Sequence, residues 1–286
     1  MADQVGMVDV RGENISRIVK VMAEEEFKFK PLLMIAPSSN WTETYYQENP
    51  AELVATGEDV GIRGVSRGAS FPNVDASWTK VSTSHVKWAD EATIFMEDKL
   101  TDAIDVQART IRKVARAIAN DFDAYVYSTM SSDASINTAA AVAPWDDATL
   151  INRDPIRDLL TGIEYMAVDN YDFLSNGYIL LSPKDYTNLM MNSKVVNNPS
   201  FKTADVVSNG VVGQIAGGKL IVSNNVAADE CLMVIGKKAA TYKSAVAMSS
   251  AVVYDEGIKY TIRSWMIGHV EVTDPEAIHK ITNTQS

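Results

Sequence analysis

Two glycine-bounded motifs are the first candidates for chemistry in this sequence. The segment Gly64–Gly68 has the G-x-S-x-G spacing of serine hydrolases, with Ser66 in the position of the nucleophile. In that class a buried apolar strand precedes the serine and a helix follows it, because the sharp turn between them exposes the hydroxyl. Here a polar, glycine-containing stretch (57–61) precedes the motif and Phe71 followed by proline comes after it. The context favours a loop, and hydrolysis through Ser66 is a remote alternative.

The second motif, Gly213–Leu220, nearly matches the phosphate-binding pattern G-x-x-x-x-G-K-[ST]. Leu220 occupies the position of the magnesium-binding hydroxyl. The segment also leads into the apolar run 220–222, whereas a phosphate loop opens a helix whose N-terminus holds the anion. A glycine turn before a strand is the better interpretation.

The remaining reactive side chains form no recognisable set. His85, His269 and His279 are scattered and lack the spacing of a metal site. Cys231 is the single cysteine, so a disulfide framework and a cysteine zinc cluster are excluded, and its apolar neighbours predict a buried side chain. We therefore expect no catalytic residue, no cofactor and no metal.

Composition narrows the function classes further. The chain has 286 residues and a formal net charge of -11, which argues against a nucleic-acid binder that works through a basic surface. No apolar run reaches the length of a membrane span, and the N-terminus lacks a secretion signal pattern. We expect a protein that is intracellular when made and does not bind membranes.

A single long helix is the element around which the chain is organised. Apolar residues recur every three or four positions from Ile104 to Val126, and no glycine or proline interrupts 96–130. This spacing predicts a helix over 98–130 with one buried stripe. The opposite face carries most of the charge, and Asp105 lies four residues before an arginine, the favourable order for an ion pair. The basic residues on this face are Arg109, Arg112, Lys113 and Arg116.

A glycine-rich segment before this helix predicts a projecting hairpin. Four glycines and a proline in 57–72 exclude a helix, and the return strand 77–91 alternates without a strongly apolar face. Trp78 and Trp88 share one parity of this strand, and we expect exposed or interface aromatics at both. A two-stranded ribbon without an apolar face is marginal alone, so it should lie against something else, such as a neighbouring subunit.

The rest of the chain predicts a mixed α+β fold. We expect residues 1–35 to form an arm outside the core, with extended chain at Phe27–Lys30. An Asp154–Pro155 cap and a Ser182–Pro183 cap each predict a helix start, with a buried strand at 177–181 between the two helices. Six short strands are expected after that, at 219–223, 232–235, 240–247, 252–254, 259–265 and 268–273, followed by a turn at 274–277.

This order of parts resembles the major capsid protein of tailed double-stranded DNA viruses, which has the Hong Kong 97 fold. The resemblance covers nearly the whole chain. It is carried most clearly by the passage from His85–Glu91 into Lys99–Asp102, by Gly217–Val226, and by the terminal segment 262–278. It implies an N-terminal arm and lead-in at 1–56 and an extended β-hairpin loop at 57–92. A peripheral domain with the spine helix would comprise 93–143 and 253–286, and an axial domain would comprise 144–252.

The resemblance also implies function and partners. The chain would assemble with copies of itself, as pentamers and hexamers, into an icosahedral head that encloses double-stranded DNA without sequence-specific binding. It would occupy the virion, after assembly in the host cytoplasm. A separate scaffolding protein and a portal would be its partners, and a decoration protein could join them. The expected inter-subunit residues are Arg63, Arg67, Phe71, Trp78, Trp88, Arg109, Arg112 and Arg116.

Two features modify this expectation. Self-crosslinking members of the family use a loop lysine, whereas 57–79 contains no lysine, so a covalent crosslink is not expected here. The given sequence also lacks the long charged N-terminal extension of self-scaffolding members, so we expect a separate scaffolding protein unless the chain has already been processed. An encapsulin-type cellular shell, which encloses an enzyme cargo, stays open as an alternative because the two classes share a fold.

Overall fold

The computed structural model describes residues 12–48, 67–68, 78–101, 106–196, 213–255 and 257–286. Its helices are α1 (Gly12–Glu26), α2 (Met96–Thr101), α3 (Val106–Ser131), α4 (Pro155–Val168), α5 (Phe173–Asn176), α6 (Pro183–Met191) and α7 (Ser193–Val196). Short 3-10 turns lie at Lys30–Leu32, Leu150–Asn152 and Pro275–Ala277. The strands are β1 (Met34–Pro37), β2 (Thr42–Glu48), β3 (Trp78–Ser84), β4 (Val86–Phe95), β5 (Asn137–Ala140), β6 (Gly177–Leu181), β7 (Gln214–Ile215), β8 (Gly218–Val222), β9 (Glu230–Ile235), β10 (Ala240–Asp255), β11 (Lys259–Val272) and β12 (Ile278–Thr282).

These strands form three sheets. A four-stranded sheet has the order β1-β10-β11-β4, and a six-stranded mixed sheet has the order β5-β12-β9-β6-β8-β7. Among the described residues, the third sheet consists of β2 and β3, which pair antiparallel. The architecture is α+β, as the order of sequence patterns predicts.

The long helix α3 forms with the predicted buried stripe. Ile111, Ile118, Phe122 and Val126 are at most 2% exposed. The 26 residues of α3 span about 39 Å at the usual helical rise. The predicted start of this helix falls on α2 and on residues 102–105; the latter, with the predicted Asp105 ion pair, lie outside the described residues.

Phe122 of α3 joins the helix to three other parts of the fold. Its ring makes edge contacts with Phe27, Trp88 and Tyr242, at centroid distances of 5.2, 5.3 and 5.0 Å. Such edge-to-face packing of aromatic rings adds to the stabilisation from their burial. The chain after α1, strand β4 and strand β10 therefore meet on one face of α3.

The expectation of an N-terminal arm outside the core is wrong for residues 19–33. Val19, Phe29 and Leu32 are at most 1% exposed, and α1 packs along α3. Phe27 is also not extended, because its backbone N–H continues the helix by donating to the carbonyl of Ala23. The apolar stripe of α1 is buried against α3, and this contact could not be recognised from the local pattern alone.

The terminal strands also differ from the prediction. The two predicted strands at 240–247 and 252–254 are one strand, β10, and those at 259–265 and 268–273 are one strand, β11. Register shifts between Ser244 and Ser249 bend β10 and account for the break in its alternation. Strand β12, which follows the predicted turn at 274–277, was not predicted, and it pairs with both β5 and β9.

Three edges of the predicted domain ranges do not coincide with the edges of the sheets. Residues 86–92 belong to β4 of the four-stranded sheet, not only to the extended loop. Residues 240–252 lie in that same sheet, and 278–282 lie in the six-stranded sheet. The division into loop, peripheral and axial domains itself stays a prediction.

The local predictions on helix caps and on the Gly213–Leu220 segment are confirmed. Asp154 accepts a hydrogen bond from the N–H of Arg157, with Pro155 in the first turn of α4. Ser182 caps α6 in the same way. Ala216 and Gly217, with φ of 49° and 81°, form a tight turn between β7 and β8, so this segment is a hairpin and not a phosphate loop.

Candidate functional site

The ribbon of β2 and β3 presents one face entirely to solvent. Thr42, Thr44, Tyr46 and Glu48 lie opposite Ser84, Ser82, Lys80 and Trp78, and all eight side chains are exposed. Hydroxyl pairs link the strands, with Oγ–Oγ distances of 3.2 Å for Thr42–Ser84 and 3.1 Å for Thr44–Ser82. The outer face is polar apart from Tyr46 and Trp78, which are 62% and 57% exposed.

The alternation of the return strand reverses between β3 and β4. In β3 the odd residues Val81 and Thr83 face inward, whereas in β4 the even residues Trp88 and Ile94 do. His85 stands between the two strands and is 5% exposed. The expected single parity for 78–88 is therefore wrong, because the chain changes sheets at His85.

This reversal carries Trp88 into the core of its own subunit. Its side chain is 4% exposed and packs edge-on against Phe122 and Tyr125, each at 5.3 Å between ring centroids. The expectation of an exposed or interface aromatic at Trp88 is wrong. Trp78, at the far end of β3, matches it.

A chain of polar side chains connects the base of the ribbon to the four-stranded sheet. Ser38 Oγ lies 2.5 Å from Glu43 Oε1 and 2.7 Å from His85 Nε2. His85 Nδ1 lies 2.9 Å from His269 Nδ1, and His269 Nε2 lies 2.7 Å from Glu271 Oε1. His269 and Glu271 are 0% and 2% exposed. We call these five residues the ribbon-base cluster.

The ribbon-base cluster was missed by the sequence reasoning. His85 and His269 are separated by 184 positions, so no spacing motif could reveal their contact. The one available signal was the alternation of β11, which places His269 and Glu271 on the same face. The view that the histidines are scattered is corrected for these two, while His279 lies elsewhere, stacked on Tyr165.

The cluster has the partial geometry of an activated serine. A serine hydroxyl next to an oriented histidine is the arrangement of nucleophilic enzymes. In this case, however, the Ser38 hydroxyl also contacts the Glu43 carboxylate. A hydroxyl that donates its proton to Glu43 does not donate it to His85, so the histidine does not act as the base that activates the serine. The arrangement fits a structural hydrogen-bond chain better than a nucleophile.

The exposed face of α3 is the second candidate surface. Arg109, Arg112, Lys113 and Arg116 are exposed and, with Val106, line a shallow groove. Arg116 donates to Glu26 of α1 at 2.7 Å, and this hydrogen bond lowers the pKa of the Glu26 carboxyl. Arg116 therefore has a partner inside its own subunit, whereas Arg109, Arg112 and Lys113 form no ion pair within 4.0 Å with another described residue.

The other predicted site residues are distributed as follows. Arg67 lies in an exposed turn, whereas Arg63, Phe71 and the hydrolase candidate Ser66 lie outside the described residues. Cys231 is buried, as predicted, and burial raises the pKa of its thiol. Within the described ranges, none of the helices is long and apolar enough to cross a membrane.

Comparison with known proteins identifies the chain. The family model described as phage capsid protein matches residues 78–281, well over half of the sequence. The chain belongs to the phage capsid protein family. Among curated proteins, no match was found. The matched region runs from the return strand of the ribbon to the last strand of the six-stranded sheet.

Solved structures share the fold of this capsid protein. The capsid of cyanophage P-SCSP1u has a TM-score of 0.68 at 14% identity, over 100% of this chain and 93% of that one. The mature capsid of bacteriophage PhiM1 has a TM-score of 0.64 at 14% identity, over 99% and 89%. A virus-like particle from Pyrococcus furiosus has a TM-score of 0.65 at 12% identity, over 94% and 98%. The fold is therefore that of phage capsid proteins, and this is a structural shell protein.

Proposed function

We propose that this capsid protein is the major subunit of an icosahedral viral head, built from its own pentamers and hexamers around double-stranded DNA. The observation that carries the proposal is the β2–β3 ribbon, which belongs to neither of the other two sheets and has a polar outer face. A two-stranded ribbon of this kind gains most of its stability from what it packs on. Its inner face contacts the same subunit, where Gln47 donates to Asp133, and in a closed shell a neighbouring subunit covers the exposed outer face.

Weak contacts are sufficient for such a shell because each one is repeated by symmetry. Closed assemblies gain strength from many copies of one interface. The net charge of -11 also suits a wall that encloses DNA without holding it tightly. In this proposal the subunit has no enzymatic activity and occupies the virion after assembly in the host cytoplasm.

The proposed interface consists of the ribbon and the basic face of α3. Arg67 and Trp78 represent the ribbon among the described residues, and Arg109, Arg112 and Arg116 represent the helix. Arg63 and Phe71 complete the proposed set from the sequence. A separate scaffolding protein, a portal and a decoration protein are the further partners we propose.

Deleting residues 58–76 tests the role of the segment that joins β2 to β3 in the sequence. The deletion leaves β2, β3 and the ribbon-base cluster in place. We expect a folded subunit with unchanged helical content and nearly unchanged melting temperature that no longer forms shells in negative-stain images. If the deletion unfolds the subunit, the ribbon belongs to its own core and the proposal is wrong.

A cellular shell that encloses an enzyme is the second candidate. The similarity to a virus-like particle from Pyrococcus furiosus over 98% of that chain favours it. Expression of the chain alone separates the two. Shells that close without other viral proteins and co-purify with a host enzyme would support the cellular shell, whereas assembly that requires a scaffolding protein would support the viral head.

A further inference from the structure

We propose that Glu43, His269 and Glu271 form a binding site for a first-row divalent cation of the Zn²⁺ class, which fastens the base of the ribbon to the four-stranded sheet. One ligand atom from each of these residues lies within 4.8 Å of the other two. Imidazole nitrogen and carboxylate oxygen are ligands that Zn²⁺ accepts, and three protein ligands leave a fourth position for water. Glu43 comes from β2, and the other two come from β11.

Charge is the first argument for a cation. Glu271 is 2% exposed, and Glu43 is only partly accessible. Among the described residues, no lysine or arginine forms an ion pair with either carboxylate. Lys243 lies opposite His269 on β10, on the same face of the sheet, and it forms no ion pair with either carboxylate within 4.0 Å. Two carboxylates placed together with little access to water are strongly disfavoured unless a positive charge lies between them.

The count of protons is the second argument. Four contacts link Glu43, Ser38, His85, His269 and Glu271 in series. With both carboxylates ionised, one serine and two neutral histidines supply three protons, so one of the four contacts has none. This series of four contacts therefore requires one added positive charge.

A metal at His269 Nε2 completes the chain without any added proton. His269 Nδ1–H then donates to His85 Nδ1, His85 Nε2–H donates to Ser38 Oγ, and the serine hydroxyl donates to Glu43. All three remaining contacts are satisfied. The fourth, at present 2.7 Å between His269 Nε2 and Glu271 Oε1, widens as both atoms coordinate the ion. Histidine ligands to metals commonly donate their other ring N–H to an acceptor that fixes the ring, and His85 is that acceptor here.

All three proposed ligands come from one subunit, so metal binding can be tested independently of shell assembly. The test uses the purified full-length chain, stripped with a chelator and titrated with Zn²⁺ by calorimetry. We expect about one Zn²⁺ per chain and a higher melting temperature on binding, because a ligand that binds only the folded state stabilises it. Substitution by Co²⁺ should give the visible absorption of a nitrogen- and oxygen-ligated ion.

Glu43→Gln and Glu48→Gln form a matched pair of variants on the same strand. Glu43→Gln removes a ligand at a partly exposed position and should weaken Zn²⁺ binding roughly tenfold or more. Glu48→Gln, at the exposed far end of β2, should bind as the unmodified chain does. His269→Gln should abolish the Co²⁺ spectrum.

Three results would overturn the proposal. Absence of Zn²⁺ binding below millimolar concentration would mean that a proton supplies the added charge. Equal binding by Glu43→Gln and by the unmodified chain would mean that the ion binds elsewhere. A Co²⁺ spectrum that survives His269→Gln in a folded chain would exclude this histidine as a ligand.

Discussion

The imidazole of His279 is buried without a hydrogen-bond partner for either ring nitrogen in the described structure. Burial lowers its pKa from 6.5 to about 4, because the apolar surroundings disfavour the charged form. Between these values the unfolded chain binds a proton that the folded chain does not, so stability is present above pH 6.5 and is lost as the pH falls toward 4. We expect the loss to reach about 3 kcal/mol. Urea unfolding of the subunit across this pH range measures it.

His279→Phe is the control for this prediction. A phenyl ring can keep the stacking on Tyr165, where the present ring centroids are 5.4 Å apart, but it cannot take up a proton. The stability of the variant should change less than that of the unmodified chain between pH 6.5 and pH 4. Parallel stability curves for the two proteins would contradict the assignment.

Asp123 shows how one buried side chain can hold two elements together. It lies on α3, and its two carboxylate oxygens accept the backbone N–H groups of Lys28 and Phe29, at 2.8 and 3.1 Å. Asp123→Ala would leave both N–H groups without a partner, at a cost of roughly 2–4 kcal/mol in the free energy of unfolding. Asp123→Asn keeps one acceptor oxygen and should cost less. Chemical unfolding at pH 7 measures the order.

The pH dependence of the same residue gives an independent measurement. Burial raises the pKa of Asp123 to about 6, above its ordinary value of 3.8. The folded chain then holds this proton more tightly than the unfolded chain, so the contribution is greatest below pH 3.8 and is lost as the pH rises through 6. Asp123→Asn should remove this slope. An unchanged slope in the variant would show that another group causes it.

At the level of elements, the sequence predicts those helices and strands whose position depends on neighbouring residues alone. The helices α3, α4 and α6 follow from periodicity, from Asp154 and Ser182 as caps, and from proline in the first turn. Strand β12 was missed because its place between β5 and β9 depends on residues more than forty positions away. The ribbon-base cluster was missed for the same reason, since two chain segments far apart in sequence meet there only after folding.

The α1 segment and Trp88 show a second limit of sequence reasoning. Periodicity indicates that one side of a helix or strand is apolar, but it does not say whether that side packs on its own subunit or on another. The same pattern therefore suggested an arm for residues 19–33 and an interface for Trp88, and both are internal. The reversal of the inward-facing parity at His85 could not be predicted from the sequence, because it depends on the chain changing sheets at that residue.

For the whole molecule, a substitution at a subunit interface affects assembly more than it affects the subunit, because it is repeated at every copy of that interface in a shell. Arg109→Glu combined with Arg112→Glu reverses two exposed charges on α3 and leaves Arg116 in place, although Arg112 also acts electrostatically on Glu26, the partner of Arg116. Exposed charges contribute little to the stability of a subunit, usually below about 1 kcal/mol each. The same change recurs at every copy of the contact, so we expect the threshold concentration for assembly to rise at least severalfold while the melting temperature of the subunit stays nearly constant.

Arg157→Glu, compared with Arg109→Glu alone, is the matched control for this last prediction, because each reverses one exposed arginine and Arg157 lies on α4, outside the proposed interface. Light scattering of assembly against protein concentration, followed by negative-stain imaging, compares the two variants. A normal threshold for the α3 variant would remove the basic face of α3 from the interface. An equal effect of Arg157→Glu would mean that overall charge, not this surface, controls assembly. A selective effect of the α3 variant is the outcome expected if neighbouring subunits meet along this helix.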